Sequence, residues 1–151
     1  MNSLFARALV AFLALPGVVA FLGPLLLLGP GAGTPPSNWL GVVLLAVGTV
    51  LLLACVREFY VAGRGTLAPW SPPAELVVTG PYRRSRNPMY VAVLLILSGW
   101  AIGYRSSTLA LYAFVVLVAF HLRVVLYVEP WLARTFGEAW IHYQNRISRW
   151  L

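Results

Sequence analysis

Few residues in this chain could do chemistry. Among 151 residues the only acids are Glu58, Glu75, Glu129 and Glu138; every basic residue is Arg, and the one cysteine is Cys55. The polar residues collect in two segments, Gly80 to Tyr90 (GPYRRSRNPMY) and Glu129 to Tyr143 (EPWLARTFGEAWIHY). Neither segment holds an Asp–His or Cys–His dyad, so general-base activation of a nucleophile has no obvious carrier. His121 has no neighbouring set of metal ligands, and no G-x-G-x-x-G follows a strand signal, which weighs against a dinucleotide-dependent reductase. Cys55 lies in an apolar run and reads as a packed thiol, which excludes a disulfide framework. What remains is binding chemistry: carboxylates for cations, guanidiniums for anions, and tyrosine or tryptophan faces for either a cation or the membrane interface.

The elements that must hold these segments are apolar. Hydrophobic residues make up 60% of the chain and charged residues only 10%, far below the roughly 25% of a soluble domain. A chain of this length makes one domain, and lipid supplies much of its burial. The expected fold is therefore all-α, a polytopic membrane bundle of about four transmembrane helices plus a C-terminal amphipathic helix. Residues 1–60 supply two N-terminal spans and 61–151 the polar part with a helical hairpin. The first span is Leu4 to Leu28, with Pro16 and Pro24 inside it; apolar sequence continues past a possible signal-peptidase site at Val18-Val19-Ala20, which favours a retained helix. The second runs from Trp39 to about Phe59. Gly and Pro then interrupt Ala62 to Asn87. A third span starts at Pro88, a residue suited to the first helical turn, and ends near Tyr104. The fourth is Thr108 to Val128, joined to the third by so short a turn that the two form an antiparallel hairpin. After Glu129-Pro130, Leu132, Phe136, Trp140, Tyr143, Ile147 and Leu151 recur at helical spacing, as in a helix lying in the interface.

Arg placement sets an orientation. Arg57, Arg64, Arg83, Arg84 and Arg86 flank the long connection and Arg123, Arg134, Arg146 and Arg149 the C-terminal helix, against Arg105 alone on the other face, so both termini and the polar segments are expected to be cytoplasmic. A net charge of +7 placed beside apolar spans points to anionic lipid headgroups rather than nucleic acid. The hairpin brings Gly80–Tyr90 and Glu129–Tyr143 to one face. Glu129, at the C-terminal end of a span, opposes the helix dipole and calls for a compensating cation or ligand.

These segments resemble the isoprenylcysteine carboxyl methyltransferase and phospholipid methyltransferase superfamily, whose members carry G-x-Y, then R-H-P-x-Y, a helical hairpin, and E-E-x-x-L with F-G-x-x-Y. The likeness covers roughly Gly63 to Leu151. Gly80 and Tyr82 match G-x-Y; Arg86, Pro88 and Tyr90 match R-H-P-x-Y, with Asn87 where the commonest form has His; Glu129, Leu132 and Phe136-Gly137 keep the later spacing. Val128 stands where the first Glu would be. The resemblance implies a membrane methyltransferase using S-adenosylmethionine. It assigns cofactor contacts to Glu75, Leu76, Val77, Gly80, Tyr82, Arg86, Asn87, Pro88, Met89, Tyr90 and Glu129. Glu129 could hold the ammonium, Tyr82 and Tyr90 the adenosine or sulfonium, and Asn87 some of the hydrogen bonds of His without its charge. The expected acceptor is lipidic or small and hydrophobic, most simply the carboxylate of an isoprenylcysteine-like molecule, with Arg123 as its guanidinium partner beside Glu129 in the catalytic set. A phospholipid amine or thiol acceptor, or a non-catalytic membrane protein of the same fold, are the alternatives.

Overall fold

The computed structural model describes residues 13–30, 35–62 and 75–150, and among them every regular element is helical. Within the described residues helix α1 comprises the wide π turns of Leu13–Leu22, which contain Pro16, followed by Gly23–Leu28. Proline removes a helical donor, and the longer turn is one way the backbone absorbs that loss. Helix α2, Trp39–Val61, starts where the Asn38 side chain accepts the Leu40 N–H at 3.0 Å. Helix α3, Pro88–Gly103, begins with its proline as expected. Tyr104-Arg105-Ser106 then turns the chain, with Arg105 in the left-handed region at φ 50° and the Ser106 hydroxyl accepting from Leu109 N–H at 3.3 Å to cap helix α4, Ser107–Arg123. The hairpin expected of the third and fourth spans is this α3–α4 pair.

Two boundaries differ from the sequence reading. Helix α4 does not stop before Glu129-Pro130: it passes through a π segment, Val124–Val128, into α5, Glu129–Phe136, as one continuous helix over Ser107–Phe136. The π turn lies just ahead of Pro130, which has no N–H to offer the carbonyl four residues earlier, that of Leu126, in a regular helix. Nor is the C-terminal amphipathic stretch one helix to Leu151. Gly137, at φ 49°, divides it, and α6 covers only Glu138–Arg146 before Ile147 turns extended. A left-handed residue of this kind ends helices readily when it is glycine.

Helices α2 and Ser107–Phe136 are long and apolar enough to cross a bilayer, and only 22% and 17% of their most apolar windows are buried inside the protein. Core helices of a soluble protein would be mostly covered, whereas here Val50, Leu53, Leu111, Phe114 and Val115 face outward. Pro16–Leu28 and Pro88–Gly103 are shorter apolar helices. At 1.5 Å per residue, α3 measures about 24 Å against a hydrocarbon core of about 30 Å.

Tight helix contact depends on small residues. A Cβ built on Gly48 of α2 would lie 2.8 Å from the Ile96 side chain and 2.9 Å from the Ala92 carbonyl, and Gly41 meets Gly99 and Gly103 backbone to backbone. Such contacts replace the hydrophobic drive that lipid cannot provide. Around them Leu52, Ala92, Val93, Ile96 and Leu97 form the core. Helix α1 is tied on by Trp100 Nε1–H donating to the Ala20 carbonyl at 3.0 Å and the Tyr112 hydroxyl donating to the Val19 carbonyl at 3.1 Å. Gly48→Val is therefore expected to cost about 1–3 kcal/mol through overpacking. Thermal melting in detergent should show a clear drop, whereas Val47→Ala, on the exposed face, should melt with the parent protein.

Candidate functional site

The first polar segment is a fixed turn rather than a loose loop. Gly80 has φ 56°, and a Cβ there would lie 2.8 Å from the Glu58 side chain, so glycine satisfies both the conformation and the space. Glu58 accepts from the Thr79 hydroxyl at 2.6 Å and pairs with Arg57 at 3.2 Å, which fastens the turn to the end of α2. The chain then makes a single 3-10 turn, Gly80–Arg83, whose Tyr82 is buried against Cys55, Val77 and the edge of Phe59. From α6, the Tyr143 hydroxyl donates to the Tyr82 carbonyl at 2.7 Å. Burial pushes the Tyr82 phenol well above its ordinary range and the Tyr143 phenol up to about 12, so both stay neutral and serve as hydrogen-bonding, packed groups.

The second half of the segment meets α5 and the C-terminal tail in one ionic network. Glu129 receives two N–H bonds from Arg149, Nε to Oε1 and Nη2 to Oε2, both at 2.9 Å. Arg86 Nη1 approaches the same Oε1 at 3.1 Å. Because the helix runs on through Glu129 to Phe136, no helix end there calls for a cation; the guanidiniums instead compensate a carboxylate that is only 14% exposed. The Arg86 side chain is only 11% exposed; its guanidinium lies 5.5 Å from the centre of the Trp140 ring, and its Nε is buried without an acceptor. Main-chain bonds complete the joint: Arg86 N–H to the Ser148 carbonyl at 2.9 Å and Asn87 Nδ2–H to the Arg149 carbonyl at 3.1 Å. Past Arg149, Trp150 stacks on His121 with ring centres 6.0 Å apart. Hydrogen bonding to Glu129 raises the Arg149 pKa further, so its charge is permanent.

Of the residues the sequence singles out, Arg86, Asn87 and Glu129 come together here. Pro88 is buried at the start of α3 and Met89 packs behind Tyr82 and Cys55. Tyr90 meets Phe120 of α4 edge-on, with centroids 4.6 Å apart. Val77 and Tyr82 are buried within the turn, while Leu76 is half-buried and Glu75 and Gly80 are exposed. Arg123 is exposed in the last turn of α4 and takes no part in the network around Glu129. Arg149 and Trp150, the residues that close the network, carry no sequence signal for this role, because a helix through Leu151 would carry them along its own axis. Their position follows from the end of α6 at Arg146. Beside the joint runs a groove of about 430 Å³ lined by Val78, Arg83, His142, Tyr143, Arg146 and Ile147.

The network has the chemistry of a zwitterion site. Adjacent carboxylate and guanidinium groups suit an amino-acid end bearing an ammonium and a carboxylate, and the unpaired Arg86 Nε is a donor that an incoming acceptor could satisfy. The residues present therefore fit the methionine end of the cofactor implied by the sequence motifs. A family model described as phospholipid methyltransferase matches residues 36–139, about two-thirds of the chain, from just before α2 to the start of α6. No curated protein and no solved structure matches the chain.

Proposed function

The chain belongs to the phospholipid methyltransferase family, and from that premise we propose that this membrane methyltransferase moves the methyl group of S-adenosylmethionine to a lipidic or small hydrophobic carboxylate, of which an isoprenylcysteine-like molecule is the simplest example. The observation that carries the reading is the single network in which Arg86 and Asn87 of the first motif and Glu129 of the second meet across the α3–α4 hairpin. When bound, the cofactor supplies an electrophilic methyl group on a cationic sulfonium. Glu129 would hold its ammonium, Arg86 its carboxylate, and Tyr90 would lend an aromatic face to the adenosyl part. The protein's task is alignment and exclusion of water, since a carboxylate acceptor is already a nucleophile and gives up no proton. That agrees with a site whose buried phenols, Tyr82 and Tyr143, are held neutral and committed to packing. An amine acceptor, favoured by the family's description, would have to lose a proton on methylation, and the network offers no free base for it. Both termini and the site belong on the cytoplasmic side in this reading, where a soluble cofactor enters from water and the acceptor arrives laterally between helices.

Membranes containing the protein, incubated with methyl-labelled cofactor and extracted with solvent, are the test. Label in the lipid extract that mild base releases as methanol marks a methyl ester and supports the carboxylate acceptor. Base-stable label on a phospholipid headgroup selects the amine acceptor instead. No transfer to any fraction, together with no cofactor binding by the purified protein, would leave only a non-catalytic member of the family.

A further inference from the structure

We propose that Arg149, carried on the C-terminal tail, joins Arg86 to form a carboxylate-binding seat at this site, held in shape by Glu129 rather than consumed by it. The charge count leads there first. Two guanidiniums meet one carboxylate, and Val128 beside Glu129 brings no charge, so the three ionic groups carry a net +1. A positive surplus at a partly buried position is lowered by an anionic ligand.

The donor inventory leads to the same place. Arg149 spends Nε and one N–H of Nη2 on Glu129, which leaves its other N–H groups for a second acceptor. Arg86 reaches Glu129 through Nη1 alone, and its buried Nε has no acceptor at all. Leaving such a donor unmet is costly, so a ligand oxygen there is worth more than on an open surface.

The tail fits the task mechanically. Its main chain is pinned by Arg86 N–H and Asn87 Nδ2–H, and Trp150 stacks on His121, so Arg149 is delivered to a fixed place although it lies beyond α6 and beyond the family match. Its side chain nevertheless keeps 37% exposure, which leaves the guanidinium within reach of a ligand. A carboxylate seen by two forks in this way is recognised by geometry as well as by charge. The cofactor's methionine end and the acceptor both offer that group, and the first source rests on the methyltransferase reading above.

Two ligand pairs, each differing at the carboxylate, separate the sources: S-adenosylmethionine against its decarboxylated form, and N-acetyl-S-farnesylcysteine against its methyl ester. Calorimetric titration of the detergent-purified full chain is expected to show a 10- to 100-fold preference, in order of magnitude about that of one charge-assisted contact, for the carboxylate member of one pair. Arg149→Ala should abolish that preference without changing affinity for the decarboxylated or esterified member, and Arg149→Lys should restore part of it, which a merely folding-related loss would not do. Carboxylate preference confined to the farnesyl pair, with no binding of either adenosyl compound, keeps the seat and removes the cofactor reading. The proposal is overturned if neither pair shows the preference in the parent protein, if Arg149→Ala leaves the preference intact, or if Arg149→Ala tightens S-adenosylmethionine. Tighter binding would mean that Arg149 only competes with the ligand's ammonium for Glu129.

Discussion

Glu129→Ala is expected to be the most damaging single substitution outside the helix core. Among the described residues Glu129 is the one group that neutralises Arg86 and ties Arg149 to α5, and its side chain is 14% exposed. Its removal leaves the Arg86 guanidinium buried beside Trp140 with no counter-charge. Breaking a buried pair from one side typically costs about 3–5 kcal/mol, most of it the penalty of the stranded charge. Two readouts should therefore fall together: the melting temperature in detergent, and affinity for S-adenosylhomocysteine by roughly 10-fold or more, the worth of a charge-assisted contact. Glu138→Ala, at an exposed position on α6, should change neither. An unchanged melting temperature for Glu129→Ala would show that the network does not hold the tail, and unchanged affinity would remove Glu129 from the ligand site.

Trp140→Ala should come second in stability and act on the site from behind. The sequence allows Trp140 to be an interfacial anchor, like other aromatics beside a span. In the structure it is 2% exposed, its ring covered by the Arg86 guanidinium and by Tyr143. Truncating a buried tryptophan typically costs about 3–5 kcal/mol. The change should loosen α6 against the Gly80–Arg83 turn and let Arg86 swing from its place, so ligand affinity falls although Trp140 touches no ligand in the proposed site. Trp131, exposed on α5, provides the contrast: Trp131→Ala should leave the melting temperature within about 2 °C, since surface changes stay within about ±0.5 kcal/mol. Equal melting of the two variants would assign Trp140 to the membrane interface after all.

The class of fold could be read from the sequence because lipid imposes a strong and local rule. Every backbone group in the hydrocarbon must be satisfied within its own segment, so runs such as Trp39–Val61 and Thr108–Val128 have helix as their only economical state. The start of α3 at Pro88 and the reversal at Tyr104–Ser106 were legible for the same local reasons, a fixed φ in one case and a charged, polar break in the other. The two motif segments could also be brought to one face, since a hairpin leaves no other side for them. Tertiary structure decided the rest. Whether Pro130 would break α4 depended on a π turn at Val124–Val128, a balance of backbone hydrogen bonds that residue types alone do not specify. Gly137 carried a stop signal, yet amphipathic spacing to Leu151 concealed it, because periodicity counts faces and is blind to one left-handed residue. The end of α6 at Arg146 then turned Arg149 back onto Glu129, and this contact depends on a three-dimensional return of the chain that no spacing encodes. The distinction between Arg86, which is buried and paired, and Arg83, which lines an open groove, is likewise a matter of where α6 packs. Charge and hydropathy act along the chain and can be read there; the pairing of one guanidinium with one carboxylate depends on positions that only the packed helices supply.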